Sequence, residues 1–166
     1  ATSLQRQGEL GLWVASLGQE AAQVGSGRAL AAHDYAFPSY REHGVAFTRG
    51  IDMPSILRVF RGLEHSTWDP AEHNFHIYTL VIGAHTLHAV GYAQAMDWDG
   101  LVGSGDADKD GAVICYFGDG ATSQGDTNEA MVFAAVNNAP VVFFIQNNQF
   151  AISEPTTRQS TVPLAQ

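Results

Sequence analysis

A doubly wound α/β fold, with a mostly parallel sheet covered by helices on both faces, is predicted by three observations. Two apolar, β-rich runs, Ala112 to Phe117 and Val141 to Ile145, flank a stretch of helical spacing, Asp126 to Val136. Further helical patterns precede the first run. The second run is apolar at every position, as in a strand with helices against both of its faces. A strand–helix–strand unit of this kind brings the C-terminal ends of its parallel strands together.

The remaining elements follow in order. Gly18 to Leu30 is Ala-rich with apolar residues at helical spacing and reads as a helix. Asp34 to Phe37 reads as a short strand or extended piece, because Pro38 disfavours helix at Phe37. Pro54 to Phe60 reads as a helix with proline in its first turn. Gly62 to Phe75 reads as loop, with turn chemistry at Trp68, Asp69 and Pro70. His76 to Val81 can form a short strand. Gly83 to Met96 has the small, apolar spacing of a buried helix, and Asp97 to Gly111 is a polar turn. The helix after the Gly118-Asp119-Gly120 loop is expected to start at Asp126 as N-cap, with Glu129 completing a capping box. Asn137 to Pro140 ends it.

The chain has 166 residues, enough for one hydrophobic core, so a single domain over 1–166 is expected. The formal net charge is −9, and the 8 Lys and Arg residues are not concentrated enough to suggest a nucleic-acid surface. The one cysteine, Cys115, lies within an apolar strand; a disulfide framework is excluded, and the thiol reads as a small buried hydrophobe. No apolar run approaches the length of a membrane-spanning helix. The polar ends, Thr2 to Leu10 and Pro163 to Gln166, read as parts of elements that continue, so a fragment of a longer chain is expected.

Chemistry concentrates at the two strand ends. Asp119, between Gly118 and Gly120, follows the first strand, and Asn148 follows the second. Both are expected at one sheet edge, where open α/β folds bind ligands. A carboxylate and an amide oxygen there, beside a Gly-rich segment and a helix N-terminus, suit Mg²⁺ carrying a diphosphate, since Mg²⁺ takes about six oxygens and keeps phosphate and water among them. Gly120 and Ala121 would let a diphosphate approach the backbone. Amides at the start of the following helix would add positive potential. The competing reading of Asp119, a plain turn aspartate, leaves the matching position of Asn148 unexplained.

Gly118-Asp119-Gly120 with Asn147-Asn148 resembles the thiamine diphosphate-binding motif. The longer runs Tyr116-Phe-Gly-Asp-Gly-Ala-Thr-Ser-Gln-Gly-Asp126 and Ala139-Pro-Val-Val-Phe-Phe-Ile-Gln-Asn-Asn-Gln-Phe-Ala-Ile-Ser153 resemble the E1 α subunit of the 2-oxoacid dehydrogenase complexes, the pyruvate and branched-chain group. Two upstream segments agree, Leu17-Gly-Gln-Glu-Ala21 and Phe37-Pro-Ser-Tyr-Arg-Glu-His-Gly44. The resemblance covers almost the whole chain and implies the thiamine diphosphate-binding fold, here incomplete. It implies Asp119, Asn148 and the backbone oxygen of Phe150 as ligands of Mg²⁺. It also implies contacts to thiamine diphosphate from Tyr40, Arg41, Leu80, Ile82, Gly118, Asp119, Gly120, Ala121 and Asn148. Arg41 suits a diphosphate because its planar fork bonds two oxygens at once; read alone, it would pass for the partner of Glu42 in a surface ion pair. His43, nearby, is equally readable as a structural histidine. Gln146 occupies a position where some relatives carry a basic phosphate contact.

The activity implied is oxidative decarboxylation of a 2-oxo acid, with acyl transfer to a lipoyl group on an E2 partner. The glutamate that activates the cofactor is expected on an E1 β subunit in an α2β2 heterotetramer, so no catalytic residue is assigned in this chain. The compartment implied is the bacterial cytoplasm or the mitochondrial matrix. Two rivals are weaker. A Mg²⁺-dependent phosphatase would need an early aspartate nucleophile that is missing, and a truncated piece that only associates would bind no cofactor. Asp106 to Gly111 imitates the start of an EF-hand loop, but Phe117 stands where the twelfth-position glutamate belongs, so it reads as a solvated turn. The pairs His73/His76 and His85/His88 have metal-ligand spacing but no acidic or cysteine partner in the sequence nearby.

Overall fold

The computed structural model describes residues 1–164; Ala165 and Gln166, the end of the expected domain, lie outside them. Three parallel strands form the main sheet in the order β1 (Tyr35–Phe37), β2 (Val113–Gly118), β3 (Val141–Gln146). Helices α1 (Thr2–Arg6) and α2 (Glu20–Ala29) precede β1. Between β1 and β2 lie α3 (His43–Thr48), α4 (Met53–Phe60), α5 (Pro70–His73) and α6 (Thr86–Trp98). A five-residue 3₁₀ turn, Asp119–Ser123, follows β2 and leads into α7 (Gly125–Asn137), which returns the chain to β3. A hairpin of β4 (Phe150–Ala151) and β5 (Glu154–Pro155) and the short α8 (Thr156–Gln159) come last. Among the described residues no helix is long and apolar enough to cross a membrane.

The period-two alternation of the strands divides them between two cores. Ala36, Ile114 and Tyr116 face a core with Val45, Ala46, Ile56 and Phe60 from α3 and α4. Tyr35, Phe37, Val113, Cys115 and Phe117 face the other, with Ala89, Ala93 and Met96 of α6. Central strand β2 is therefore buried on both faces, as its unbroken apolar sequence predicts. Burial pushes the Cys115 thiol far above its ordinary pKa, which keeps it protonated and inert.

Three expectations are corrected. His76 to Val81 forms no strand. Phe75 makes a single parallel bridge to Ala36, with Ala36 N–H donating to Asn74 O (3.0 Å) and His76 N–H to Ala36 O (2.8 Å). The next donor in that ladder would be Pro38, which has no N–H, and the pairing stops. The stretch read as loop contains α5: the Asp69 carboxylate accepts from Ala71 N–H (2.8 Å) and Pro70 occupies the first turn, an N-cap and proline pair rather than a simple turn. Helix α7 starts at Gly125 with Gln124 as N-cap, so Asp126 lies in its first turn and forms no capping box. The intervening 3₁₀ turn shifts the helix start relative to the sequence signal.

Helix α2 packs against α3 through its glycine face. A Cβ on Gly27 would stand 2.3 Å from Thr48 Oγ1 and 3.3 Å from Val45 Cα, whereas one on Gly25 would meet nothing within 4 Å. Thr48 Oγ1 cannot simply rotate away without losing its 2.7 Å bond to Val45 O. Gly25→Ala should therefore stabilise the fold by about 0.5–1 kcal/mol through helix propensity. Gly27→Ala should destabilise it by about 1–3 kcal/mol through overpacking. Urea unfolding of the two variants checks both signs.

Candidate diphosphate and metal site

The parallel register pairs Gly118 with Gln146 at the last step of the β2–β3 ladder, so both strands end at the same level. A cavity of about 310 Å³ opens there. Tyr40, Arg41, Ile82, Gly118, Asp119, Gly120, Ala121, Asn148 and Phe150 all line it. The register thus brings together segments more than a hundred residues apart in sequence.

Asp119 is 2 % exposed, and its Oδ2 is buried with no hydrogen-bond partner among the described residues. An ionised oxygen in that position is costly unless a cation or donor meets it. Asn148 Oδ1 accepts from Phe150 N–H (2.9 Å), and Asn147 Oδ1 accepts from Gln149 N–H (2.7 Å). These two side-chain turns hold Gln149 in the left-handed region at φ 70° and leave Asn148 Oδ1 a second lone pair. Thr156 N–H donates to Gln149 O (3.0 Å), so the next pair, Phe150 with Pro155, is the non-bonded pair of the β4–β5 ladder. The Phe150 carbonyl is therefore turned away from β5. A carboxylate oxygen, an amide oxygen and a backbone oxygen around one cavity are a donor set for a hard cation. Among the described residues no group of three His, Cys, Asp or Glu could hold a metal, so the neutral oxygens are needed.

Gly120 sits where a side chain will not fit: a Cβ there would stand 2.9 Å from the Ala151 Cβ. The cavity floor is thus backbone. The segment Asp119–Ser123 forms a 3₁₀ turn, and α7 begins at Gly125, four residues after Ala121. Residues 80–82 also depart from expectation. Leu80, Val81 and Ile82 are exposed rather than packed in the core, and Leu80 does not line the cavity. With no strand formed there, only Ile82 and Gly83 reach it.

The Tyr40–Arg41 segment is held by two buried polar side chains to which the sequence assigned no site role. Gln23 of α2, fully buried, accepts from Gly44 N–H (3.0 Å) and donates to Arg41 O (3.1 Å). Glu42, 1 % exposed, is not the surface partner of Arg41. Its Oε2 accepts from Ser39 N–H (2.7 Å), Ser39 Oγ–H (2.8 Å) and Arg41 N–H (3.3 Å), and its Oε1 accepts from Gln146 Nε2 (2.7 Å). Burial raises the Glu42 pKa, and these bonds oppose the rise. The Arg41 guanidinium donates to the Ala15 carbonyl and lies 5.8 Å from the Tyr40 ring.

Two histidines resolve differently. His43 is a core residue: Nε2–H donates to Val14 O (2.8 Å), Nδ1 accepts from Tyr78 O–H (2.9 Å), and the ring stacks on Trp13 at 4.7 Å. His85 lines the cavity; its Nε2–H donates to Tyr116 O (2.7 Å), while Nδ1 is buried without a partner among the described residues. Elsewhere, the Asp110 carboxylate accepts from Ser104 and Gly105 N–H, so Asp106 to Gly111 is an internally bonded turn.

The family model described as Dehydrogenase E1 component matches residues 1–165. The chain is 44 % identical, over 97 % of its length and 42 % of the relative's, to the 3-methyl-2-oxobutanoate dehydrogenase subunit alpha of Mycobacterium tuberculosis (strain ATCC 25618 / H37Rv). It is 37 % identical, over 95 % of its length and 40 % of the relative's, to the pyruvate dehydrogenase E1 component subunit alpha of Staphylococcus aureus (strain Mu50 / ATCC 700699). The chain thus spans about two fifths of the length of these curated relatives.

Burial holds the pKa values of His43, His76 and His85 below the ordinary 6.5. The unfolded chain then binds protons that the folded chain refuses, so their contribution is complete above 6.5 and is lost as pH falls through the folded values. Glu42, raised instead, opposes this with the reverse sign. The urea midpoint should fall between about pH 7.5 and about pH 5.5, and His85→Gln should flatten the fall by removing one imidazole.

Proposed function

We propose that this chain, which belongs to the dehydrogenase E1 component family, supplies the diphosphate- and Mg²⁺-binding half of a thiamine diphosphate site in the α subunit of a 2-oxoacid dehydrogenase. One observation carries the reading: the buried, unpartnered Asp119 Oδ2 in a cavity that Asn148 and Phe150 also line. An ionised carboxylate so placed fits a cation, and a backbone floor at Gly120 fits a ligand that needs close approach.

The residues have distinct tasks. Asp119, Asn148 and the Phe150 carbonyl hold Mg²⁺. Gly118, Gly120 and Ala121 give the diphosphate room against the backbone. Tyr40 and Arg41 contact its oxygens, and binding there requires the Arg41 guanidinium to exchange the Ala15 carbonyl for a charged partner. Ile82 borders the same space. When bound, thiamine diphosphate supplies the nucleophilic carbon and electron sink for decarboxylating a 2-oxo acid. The site is completed by an E1 β subunit in an α2β2 assembly, which supplies the activating glutamate, and the acyl group passes to a lipoyl domain of E2. The names of the relatives support a branched-chain 2-oxo acid or pyruvate as substrate.

Titration calorimetry of thiamine diphosphate with and without Mg²⁺ tests the reading. Asp119→Ala and Asn148→Ala should each abolish the Mg²⁺-dependent binding, and unchanged affinity in Asp119→Ala would overturn the site. Arg41→Ala should weaken binding by about 1.5–3 kcal/mol, the scale of a hydrogen bond to a charged group. Arg41→Lys should recover only part of this, keeping the charge but losing the fork.

A further inference from the structure

Among the described residues, Arg41 is the only arginine or lysine that lines the cavity. It lies in a segment, Pro38 to Glu42, that is neither helix nor strand. Its two flanking peptide groups are nevertheless both held. The Arg41 N–H donates to Glu42 Oε2 (3.3 Å). The Arg41 carbonyl accepts from His43 N–H (2.8 Å), an inverse γ-turn centred on Glu42 at φ −80° and ψ 49°. It also accepts from Gln23 Nε2 (3.1 Å), which reaches it from α2. Gln23 is fully buried. Its Oε1 accepts from Gly44 N–H (3.0 Å), a first-turn amide of α3, whose N-cap Glu42 makes no side-chain cap bond. Gly44 gives Gln23 room: a Cβ there would stand 3.0 Å from Gln23 Cβ. The Gln23 amide thus spans the turn from Arg41 to Gly44.

The orientation of that amide is dictated by its partners. A peptide N–H only donates and a carbonyl only accepts, so Oε1 must face Gly44 and Nε2 must face Arg41. We infer that Gln23 is a positioning residue for oxyanion binding: by holding the Arg41 carbonyl it fixes the backbone from which the Arg41 side chain starts, and the guanidinium then moves between Ala15 O and the cavity by side-chain rotation alone. The inference rests on the diphosphate reading of the cavity. Without Gln23 the Arg41 carbonyl would keep only the γ-turn bond, and residue 41 could rock about it. Orienting a charged donor in advance removes part of the ordering cost of binding. Substitutes of similar length fail in different ways. A glutamate keeps the acceptor for Gly44 but sets an oxygen against the Arg41 carbonyl, and a methionine loses both bonds.

Inorganic pyrophosphate with Mg²⁺ is the probe, titrated calorimetrically into this chain and its variants. Gln23→Met and Gln23→Glu should each weaken binding about three- to tenfold, the scale of one lost hydrogen bond. Gln23→Met carries no charge, so its loss is not anion repulsion. In an Arg41→Ala background Gln23→Met should cost nothing further, because the side chain it positions is gone. Equal losses in the two backgrounds would make Gln23 a general support of the fold and overturn the role. Wild-type affinity in Gln23→Glu would overturn it too, since that variant keeps the Gly44 bond and would show that capping α3 is sufficient. The NMR signal of the Arg41 Nε–H gives a reading that stability alone does not move. It should be a single sharp resonance in the ligand-free wild type. In Gln23→Glu, which keeps the α3 cap and so the fold, it should be broadened by exchange between side-chain positions. Identical line shapes in the two would also overturn the inference. A wild-type chain that binds no pyrophosphate overturns the diphosphate reading itself, and the line shapes then still decide whether Gln23 fixes Arg41.

Discussion

The parallel register of β2 and β3 is the constraint on which the site depends. Gly118 pairs with Gln146, and both strands end at that step. The next residues, Asp119 on one side and Asn147 and Asn148 on the other, must leave the sheet at the same level. In an antiparallel pair they would lie at opposite ends. The crossover helix α7, of 13 residues, makes the parallel pairing possible, and the buried β2 leaves little freedom to slip, because a one-residue shift would exchange the Cys115 face with the Tyr116 face between two different cores.

A second layer supports the first. Gln23 and Glu42 are charged or polar side chains with almost no exposure, which is unfavourable unless their bonds are complete. Each bonds the backbone around Tyr40 and Arg41, and Glu42 also accepts from the Ser39 hydroxyl and from Gln146. The segment between Phe37 and His43 has little regular structure of its own, since Pro38 ends β1 and α3 has not begun. Buried polar anchors replace the missing ladder bonds and determine where the Arg41 side chain starts. This explains why helix α2, whose N-cap Gln19 also lines the cavity, belongs to its architecture.

Small residues decide where backbone can approach backbone. Gly120 admits the β4 residue Ala151, and Gly83, at φ +80° and with Gln124 and Thr127 within 2.8 Å of where its Cβ would be, admits the start of α7 beside residues 80–82. At both places the side chains of another segment close on a glycine that has none of its own.

Much of this was legible in the sequence. Unbroken apolar runs around a helical spacing identify parallel strands, and the strand ends then converge by topology, so Asp119 and Asn148 could be grouped before any coordinates, whereas Phe150 was implied only by the family resemblance. Cys115, within a strand, could only be buried. Other features were decided by tertiary structure. His76 to Val81 has strand composition, but its neighbour in space is Pro38, which has no N–H to continue the ladder. Leu80, which the resemblance implied as a cofactor contact, is exposed and does not line the cavity. The start of α7 was displaced by a 3₁₀ turn that leaves no periodic signal in five residues. Glu42 read as a surface partner of Arg41, because adjacency in sequence says nothing about which way two side chains point. Its burial, and its bond to Gln146 more than a hundred residues away, come from folding β3 against the segment after β1. Local chemistry determines which residues can hold a ligand; only the packed chain determines which of them face one another.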